Sequence, residues 1–230
     1  MLKRLLDSGV MLSVAPYCSV IIFDQSTDDN AIAYYEDAAN RLGGTYVHNE
    51  NRGASAAKRE QIIHAANNGY DVMSQVSEDL VVAPLGDCPW LPAGHPSFIT
   101  DSEEILKQRS HIQFVNHNAT MCGDWDVTTT WQHRDLRNAN LSFHKLTGSR
   151  LAHLEGEVMI TGWPYTGRVK FLQRCVEMML GLAPSSVYEK FQEGGEHVLA
   201  RYTMCAGASL VARSFYHDRG EDRKPNGSRP

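Results

Sequence analysis

The sequence predicts an α/β fold, a mostly parallel sheet flanked by helices, followed by a less regular second half. Three observations carry this reading. Between Ser19 and Val76, short β-branched runs alternate with longer stretches of helical period, in the order strand, helix, strand, helix, strand. That alternation implies parallel strands joined by right-handed crossovers. The strand runs end in polar residues at Asp24, Asn49–Gly53 and Glu78–Asp79, at the carboxyl ends of strands where open α/β sheets bind ligands.

The elements follow in order. Leu2 to Leu6 alternates apolar and basic residues and reads as the end of a short helix. Ser19 to Phe23 is a compact apolar run, expected to be covered on both faces. Gln25 to Asn30 has the chemistry of a loop and a helix cap. Ala31 to Leu42 carries apolar residues at helical spacing, closed by Gly43-Gly44. Thr45 to Val47 is a short strand, Asn49 to Gly53 a loop, and Ala54 to Asn67 an Ala-rich helix closed by Asn68-Gly69. Tyr70 to Val76 is the next strand.

After Val82 the period loosens. Residues 84–96 hold four prolines and two glycines and read as loop. Asp101 to Arg109 is a short helix capped at Thr100 or Asp101, and His111 to Val115 a strand. Asp124 to Asn138 shows no period. Gly167 to Leu180 is strongly amphipathic, with Val169, Leu172, Val176 and Met179 on one face. Ser185 to Phe191 and His197 to Cys205 have helical character, and Ser209 to Tyr216 that of a strand. The charged tail, residues 218–230, reads as flexible. The expected organisation is one domain over residues 1–217, with a ligand-binding half (1–83) and a second half (84–217).

Composition narrows the function classes. With 230 residues, 42% hydrophobic and 21% charged, the chain has the make-up of a globular domain. A net charge of −5 argues against gripping nucleic acid by bulk charge. Five dispersed cysteines form no Cys-x-x-Cys pair, which excludes a zinc knuckle and fits free thiols in a reducing compartment. No apolar run reaches the ~20 residues of a membrane span, and Met1–Val10 is too short for a secretory signal. The expected location is the cytoplasm.

Three motifs then resemble a known family. Asp24-Gln-Ser-Thr-Asp-Asp is similar to the Asp-x-Ser-Thr-Asp segment after the second strand of inverting GT-A glycosyltransferases, the large glycosyltransferase-2-like family. Asn51-Arg-Gly-Ala-Ser-Ala-Ala-Lys58-Arg59 resembles their Asn-x-Gly…Ala-Arg-Asn segment. Ser77-Glu78-Asp79 resembles the acidic metal motif that closes the next strand. Their order and spacing over some sixty residues are those of the family.

The resemblance implies a GT-A-like fold and a role for each position. Asp24 would meet the nucleotide base, with Ser26 and Asn51 beside it, and Gly53 would let the backbone approach the nucleotide. Lys58 stands where the family has an arginine near the phosphates, and Arg59 would share that task; a lysine lacks the bidentate fork. Asp79 would bind Mn²⁺ or Mg²⁺ and Glu78 would face the ribose or the metal; oxygen ligands suit both ions. Gly194-Gly195-Glu196-His197 resembles the family's Gly-Glu-Asp segment, so Glu196, or His197 in place of the usual acid, would be the catalytic base. Phe215-Tyr216-His217 resembles the late strand whose histidine completes the metal shell. One departure is plain. Family members begin with an apolar strand and a base-clamping loop. Here Met1–Val10 aligns with the helix that follows that strand.

The eight other histidines, His48, His64, His95, His111, His117, His133, His144 and His153, show no ligand spacing and read as surface or core residues. Trp125, Trp131 and Trp163 read as core before sugar platforms. The resulting expectation is a metal-dependent transferase that moves a sugar from a nucleotide-sugar donor, UDP-sugar favoured, to a hydroxyl acceptor with inversion. The acceptor is open among saccharide, lipid-linked, protein and modified nucleic-acid classes. The alternatives are a nucleotidyltransferase on a related sheet, for which the Gly-rich basic loop after the first strand is not visible, and a degenerate domain that binds a sugar nucleotide without turning it over.

Overall fold

The computed structural model describes residues 6, 9–51, 54–76, 80–82, 97–117, 141–146, 152–156, 158, 165–182, 206–210 and 215–217. In chain order these form α1 (Gly9–Val14), a 3-10 turn (Ala15–Tyr17), β1 (Ile21–Asp24), α2 (Asp29–Arg41), β2 (Thr45–His48), α3 (Ala54–Asn67), β3 (Val72–Gln75), β4 (Leu80–Val82), α4 (Ser97–Gln108), β5 (Phe114–Asn116), β6 (Leu141–Lys145), β7 (Ala152–Gly156), β8 (Tyr165–Arg168), α5 (Val169–Leu182), β9 (Gly207–Leu210) and β10 (Phe215–His217). The chain is α/β, with a mixed central sheet flanked by helices. The expected helices at Ser185–Phe191 and His197–Cys205, the tail, and the stretch from Asp124 to Asn138 lie outside the described residues.

The first half follows the sequence closely. β1 and β2 pair in parallel, Ile21 opposite Thr45 through Asp24 opposite His48. Asp28 caps α2 by accepting from the Asn30 amide, so this helix starts at Asp29 rather than Ala31. Both α2 and α3 close on a left-handed glycine, Gly43 at φ +63° and Gly69 at φ +72°. Leu6, Ile22, Ala38, Ala39 and Leu42 form one core between α2 and this pair of strands.

The larger sheet has the order β3-β8-β5-β9-β7-β6. Among the described residues, the parallel pattern expected from the first half continues only in the β5–β9 pair. β8 runs antiparallel to both β3 and β5, and the hairpin β6–β7 runs antiparallel to itself and to β9. Strand reversal comes from connections that the alternation in the first half does not contain. Gly167 belongs to β8, not to the helix expected to start there. α5 begins at Val169 and folds straight back on the strand, where Leu172 would stand 3.0 Å from a Cβ at Gly167. The single strand expected from Ser209 to Tyr216 is two strands in two sheets, β9 and β10.

Helices cover both faces. On one side α4 packs Phe98, Ile105 and Leu106 against Val115, Ala208 and Leu210. α4 starts four residues before Asp101 because Phe98 belongs to this core and the Ser102 hydroxyl donates back to its carbonyl. On the other side α5 sets Leu172, Cys175 and Val176 against Phe114 and Tyr165, and Ile62 of α3 joins them. Val169, Leu172 and Val176 are buried as the period predicts. Burial pushes the Cys175 thiol up to about 11. Among the described residues no strand joins β1 to β3. Met11 of α1 packs against the cores on both sides of that gap, so side chains, not a backbone ladder, make the junction.

One packing contact sets the spacing of the central strands. Gly207 of β9 lies opposite Phe114 of β5, and a Cβ there would fall 2.1 Å from the Phe114 ring. Phe114 is fully buried. Gly207→Ala is therefore expected to destabilise the fold by about 2–3 kcal/mol through overpacking, measured by urea unfolding. A loss below roughly 0.5 kcal/mol, the range of neutral surface changes, would contradict this packing.

Candidate functional site

The carboxyl ends of β1 and β2 form a tightly bonded turn. Asp24 is buried, and both of its oxygens are engaged: Oδ1 accepts from the Ser26 amide at 2.9 Å and the Ser26 hydroxyl at 2.5 Å, and Oδ2 accepts from the Tyr46 hydroxyl at 2.8 Å. Burial, and then the Asp24 carboxylate, push the Tyr46 phenol well above its ordinary range. The His48 ring bonds the Ser26 carbonyl at 2.9 Å and stacks on Tyr46. Asn49 donates to Glu60 of α3 at 2.8 Å, tying the loop after β2 to that helix. Asp24 thus shapes the turn on which Ser26 sits. Asn51 is exposed at the end of this loop, and Lys58 and Arg59 stand half-buried on α3. The Arg59 Nε is buried with no hydrogen-bond partner, as is the amide nitrogen of Gln25, the residue after β1. Gly53, Glu78, Asp79, Glu196 and His197 lie outside the described residues.

A second polar zone lies where β3 and β5 end beside the start of β8. Ser74, Thr166 and His117 form a chain: Ser74 Oγ to Thr166 Oγ1 at 2.6 Å, and Thr166 Oγ1 to His117 Nε2 at 2.7 Å. Thr166 and His117 are fully buried. Burial pushes the His117 imidazole down to about 3, so it is neutral at physiological pH. On the opposite face of the sheet, Gln75, Tyr165, Asn116 and Ser209 stand in one register row across four strands, all buried. The Gln75 Oε1 has no hydrogen-bond partner. Nothing in the local sequence marks His117, because Thr166, to which it bonds, is supplied by a strand 49 residues away.

β4 and β10 pair the late strand with the segment that follows β3 in the chain. They pair antiparallel, with His217 opposite Leu80, Tyr216 opposite Val81 and Phe215 opposite Val82. Leu80 is the residue that follows Asp79 in the chain.

A third group, at the β6–β7 edge, brings together three of the histidines read as surface or core residues. His111, His144 and His153 converge on the carboxylate of Glu155. His153 Nε2 is 2.7 Å from Oε1 and His111 Nε2 3.0 Å from Oε2; His144 Nε2 lies 3.9 Å from Oε2 and Arg109 Nε 3.4 Å from Oε1. Burial would raise the Glu155 carboxyl. The hydrogen bonds from His153 and His111, with His144 and Arg109, outweigh it and hold Glu155 below the usual carboxylate range. Burial also lowers His153, against the pull of Glu155. The cluster has the composition of a nucleophilic triad, because the Ser142 hydroxyl lies 2.7 Å from His144 Nε2. Its proton arrangement is the wrong one. Arg109 can only donate, and it faces His144 Nδ1 at 3.5 Å, which leaves Nε2 as the nitrogen that donates a hydrogen bond to Ser142 Oγ. Glu155 therefore clamps the β6–β7 hairpin to the end of α4. Among the described residues, no three His, Cys, Asp or Glu side chains are arranged to hold a metal ion, and no helix is long and apolar enough to cross a membrane.

No protein-family model and no curated protein matches the sequence. Among solved structures, the chain is similar to a cytidylyltransferase from Leptospira borgpetersenii serovar Hardjo-bovis, at a TM-score of 0.38 and 12% identity over 81% of this chain. The match spans 60% of that protein's length.

The neutral, buried His117 makes stability depend on pH. Its folded pKa lies below the unfolded value of about 6.5, so its contribution is intact above that value. As pH falls below 6.5, the unfolded chain takes up a proton that the folded chain refuses. Stability then falls by about 1.4 kcal/mol per pH unit from this group. His117→Gln is expected to flatten the urea-derived stability profile between pH 6.5 and 5 by about that slope. Parallel profiles for the two proteins would show that His117 titrates normally in the fold.

Proposed function

We propose that the chain is a metal-dependent glycosyltransferase that moves a sugar from a nucleotide-sugar donor, preferentially a UDP-sugar, to a hydroxyl acceptor with inversion. The observation that carries this reading is the register of β4 and β10. It sets the backbone of His217 opposite Leu80, next in the chain to Asp79, although 138 residues separate His217 from Asp79 (217 minus 79). A carboxylate and an imidazole are acceptable ligands for Mn²⁺, and the carboxylate for Mg²⁺. On this reading Asp79 and His217 hold the ion, which when bound neutralises the departing diphosphate.

The chain's own residues supply the rest. The unpartnered Arg59 Nε–H is a donor in want of an acceptor, and a diphosphate oxygen is one; Lys58 on the same helix adds a point charge. Asn51, Gly53 and Glu78 line the ribose and phosphates, and Asp24 with Ser26 holds the turn beside them. Glu196 takes the acceptor hydroxyl's proton, with His197 beside it as the other base in reach of that role. The acceptor oxygen then bonds to the anomeric carbon from the face opposite the leaving group, the bond from that carbon to the diphosphate oxygen breaks, and the nucleoside diphosphate departs with the electron pair.

The test follows from the two strand ends. Asp79→Ala is expected to lower Mn²⁺-dependent hydrolysis or transfer from UDP-sugars by at least about 100-fold with an unchanged circular dichroism spectrum. His217→Ala is expected to raise the Mn²⁺ concentration for half-maximal rate about 10-fold or more. The released product is UDP. Wild-type turnover in Asp79→Ala sinks the metal assignment, and release of pyrophosphate in place of UDP transfers the chain to the nucleotidyltransferase class.

A further inference from the structure

The cluster around Glu155 joins three separate pieces of chain. Glu155 and His153 belong to β7, His144 and Ser142 to β6, and Arg109 and His111 to the turn after α4. The His153 ring is fully buried, and its two nitrogens have unequal surroundings. Nε2 lies 2.7 Å from Glu155 Oε1. A carboxylate can only accept, so the proton of the neutral ring sits on Nε2. Nδ1 is buried and, among the described residues, has no hydrogen-bond partner. A second proton has to go on Nδ1, as a buried donor with no acceptor. The closed cluster therefore refuses it. Burial lowers the His153 imidazole against the pull of Glu155, and His144, stacked on it at 5.6 Å, and Arg109 lower it further. His111 bonds the other Glu155 oxygen and is largely exposed.

We propose that this cluster is an acid-operated latch, in which uptake of one proton by His153 releases the β6–β7 hairpin from the turn after α4. The inference does not depend on the chemistry that the protein catalyses. Opening lets water reach Nδ1; closing shuts it out. Because the closed state depresses the pKa of His153, its contribution is intact above the free imidazole's value of about 6.5 and is lost as pH falls below it. Glu155 acts in a lower window. Its carboxyl is held below the usual range, so its contribution is intact above about pH 4.3 and is lost only below that. Between the two values Glu155 stays ionised and His153 is the trigger. The place in the fold allows a local release. β6 ends the central sheet and, among the described residues, pairs only with β7, so no further strand has to part on that side.

Hydrogen–deuterium exchange of the full chain tests the latch, read by mass spectrometry at pH 7.5 and 5.5 and corrected for intrinsic exchange. One proton taken up on opening raises the opening constant of the hairpin amides, residues 141–156, about 10-fold between these two values. The amides of α2, which belong to another core, are expected to keep their protection, as in a local opening. His153→Gln keeps a donor for Glu155 but cannot titrate, and is expected to bring the ratio near one. A second measurement needs no variant: the NMR signals of the His153 ring in the wild type are expected to keep the neutral form at pH 5.5 in the closed state. Equal hairpin protection at both pH values overturns the latch. So does an equal rise in α2, which is global unfolding. A 10-fold rise that persists in His153→Gln, or a His153 ring that titrates near 6.5 with the hairpin still protected, overturns the assignment of the trigger.

Discussion

One buried hydroxyl links three strand ends of the central sheet. Thr166 sits at the start of β8, the strand that runs against both β3 and β5 and pairs with each. Its oxygen lies within hydrogen-bond distance of Ser74 on one side and His117 on the other. Three strand ends therefore share one polar link, with Thr166 and His117 fully buried and Ser74 half-buried. In so low a dielectric such a link is strong when complete and costly when broken. β3 leads from this point to the acidic segment at Ser77–Asp79, and β5 leads from it into the second half. The positions of both exits follow from a contact that neither strand makes by itself.

The first half of the fold was legible because its signals are local. A β-branched run, a cap at Asp28, a helical period and a left-handed glycine all act within a few residues. The buried face of α5 was legible for the same reason. The reversed strand β8 was not. Tyr165 to Arg168 is only four residues long, and Gly167 reads equally as a helix start when the pairing with β3 and β5 is unknown. The β6–β7 hairpin carried a weak signal that is clear in hindsight. Ser142 with His144, and His153 with Glu155, are each two apart and so share one face of a strand. Two polar pairs at that spacing in neighbouring short segments are a strand signature. A search for metal-ligand spacing passes over them, because their partner is a carboxylate and not an ion.

The candidate site divides along the same line. Local pattern puts Asp24 and Asn51 at strand ends, the family resemblance adds Lys58 and Arg59, and the structure sets Asp24 on β1 and the two basic residues on α3. Distance in sequence hid the rest. His217 reaches the neighbourhood of Leu80 only through β4–β10 pairing. His117 reaches Ser74 only through Thr166. The hydrogen bonds of Asp24 were hidden in the same way. A sequence shows an aspartate at a strand end; it does not show that Tyr46, on the neighbouring strand, already occupies one of its oxygens.

The central claim is that this edge binds a nucleoside diphosphate together with a divalent ion. Isothermal titration of the wild-type chain with UDP, with and without Mn²⁺, tests it most directly. The account predicts one UDP per chain, bound at least about 10-fold more tightly with Mn²⁺ present, a coupling of about 1.4 kcal/mol between ion and nucleotide. UDP binding of equal strength with and without the ion, or no binding in either case, would contradict it.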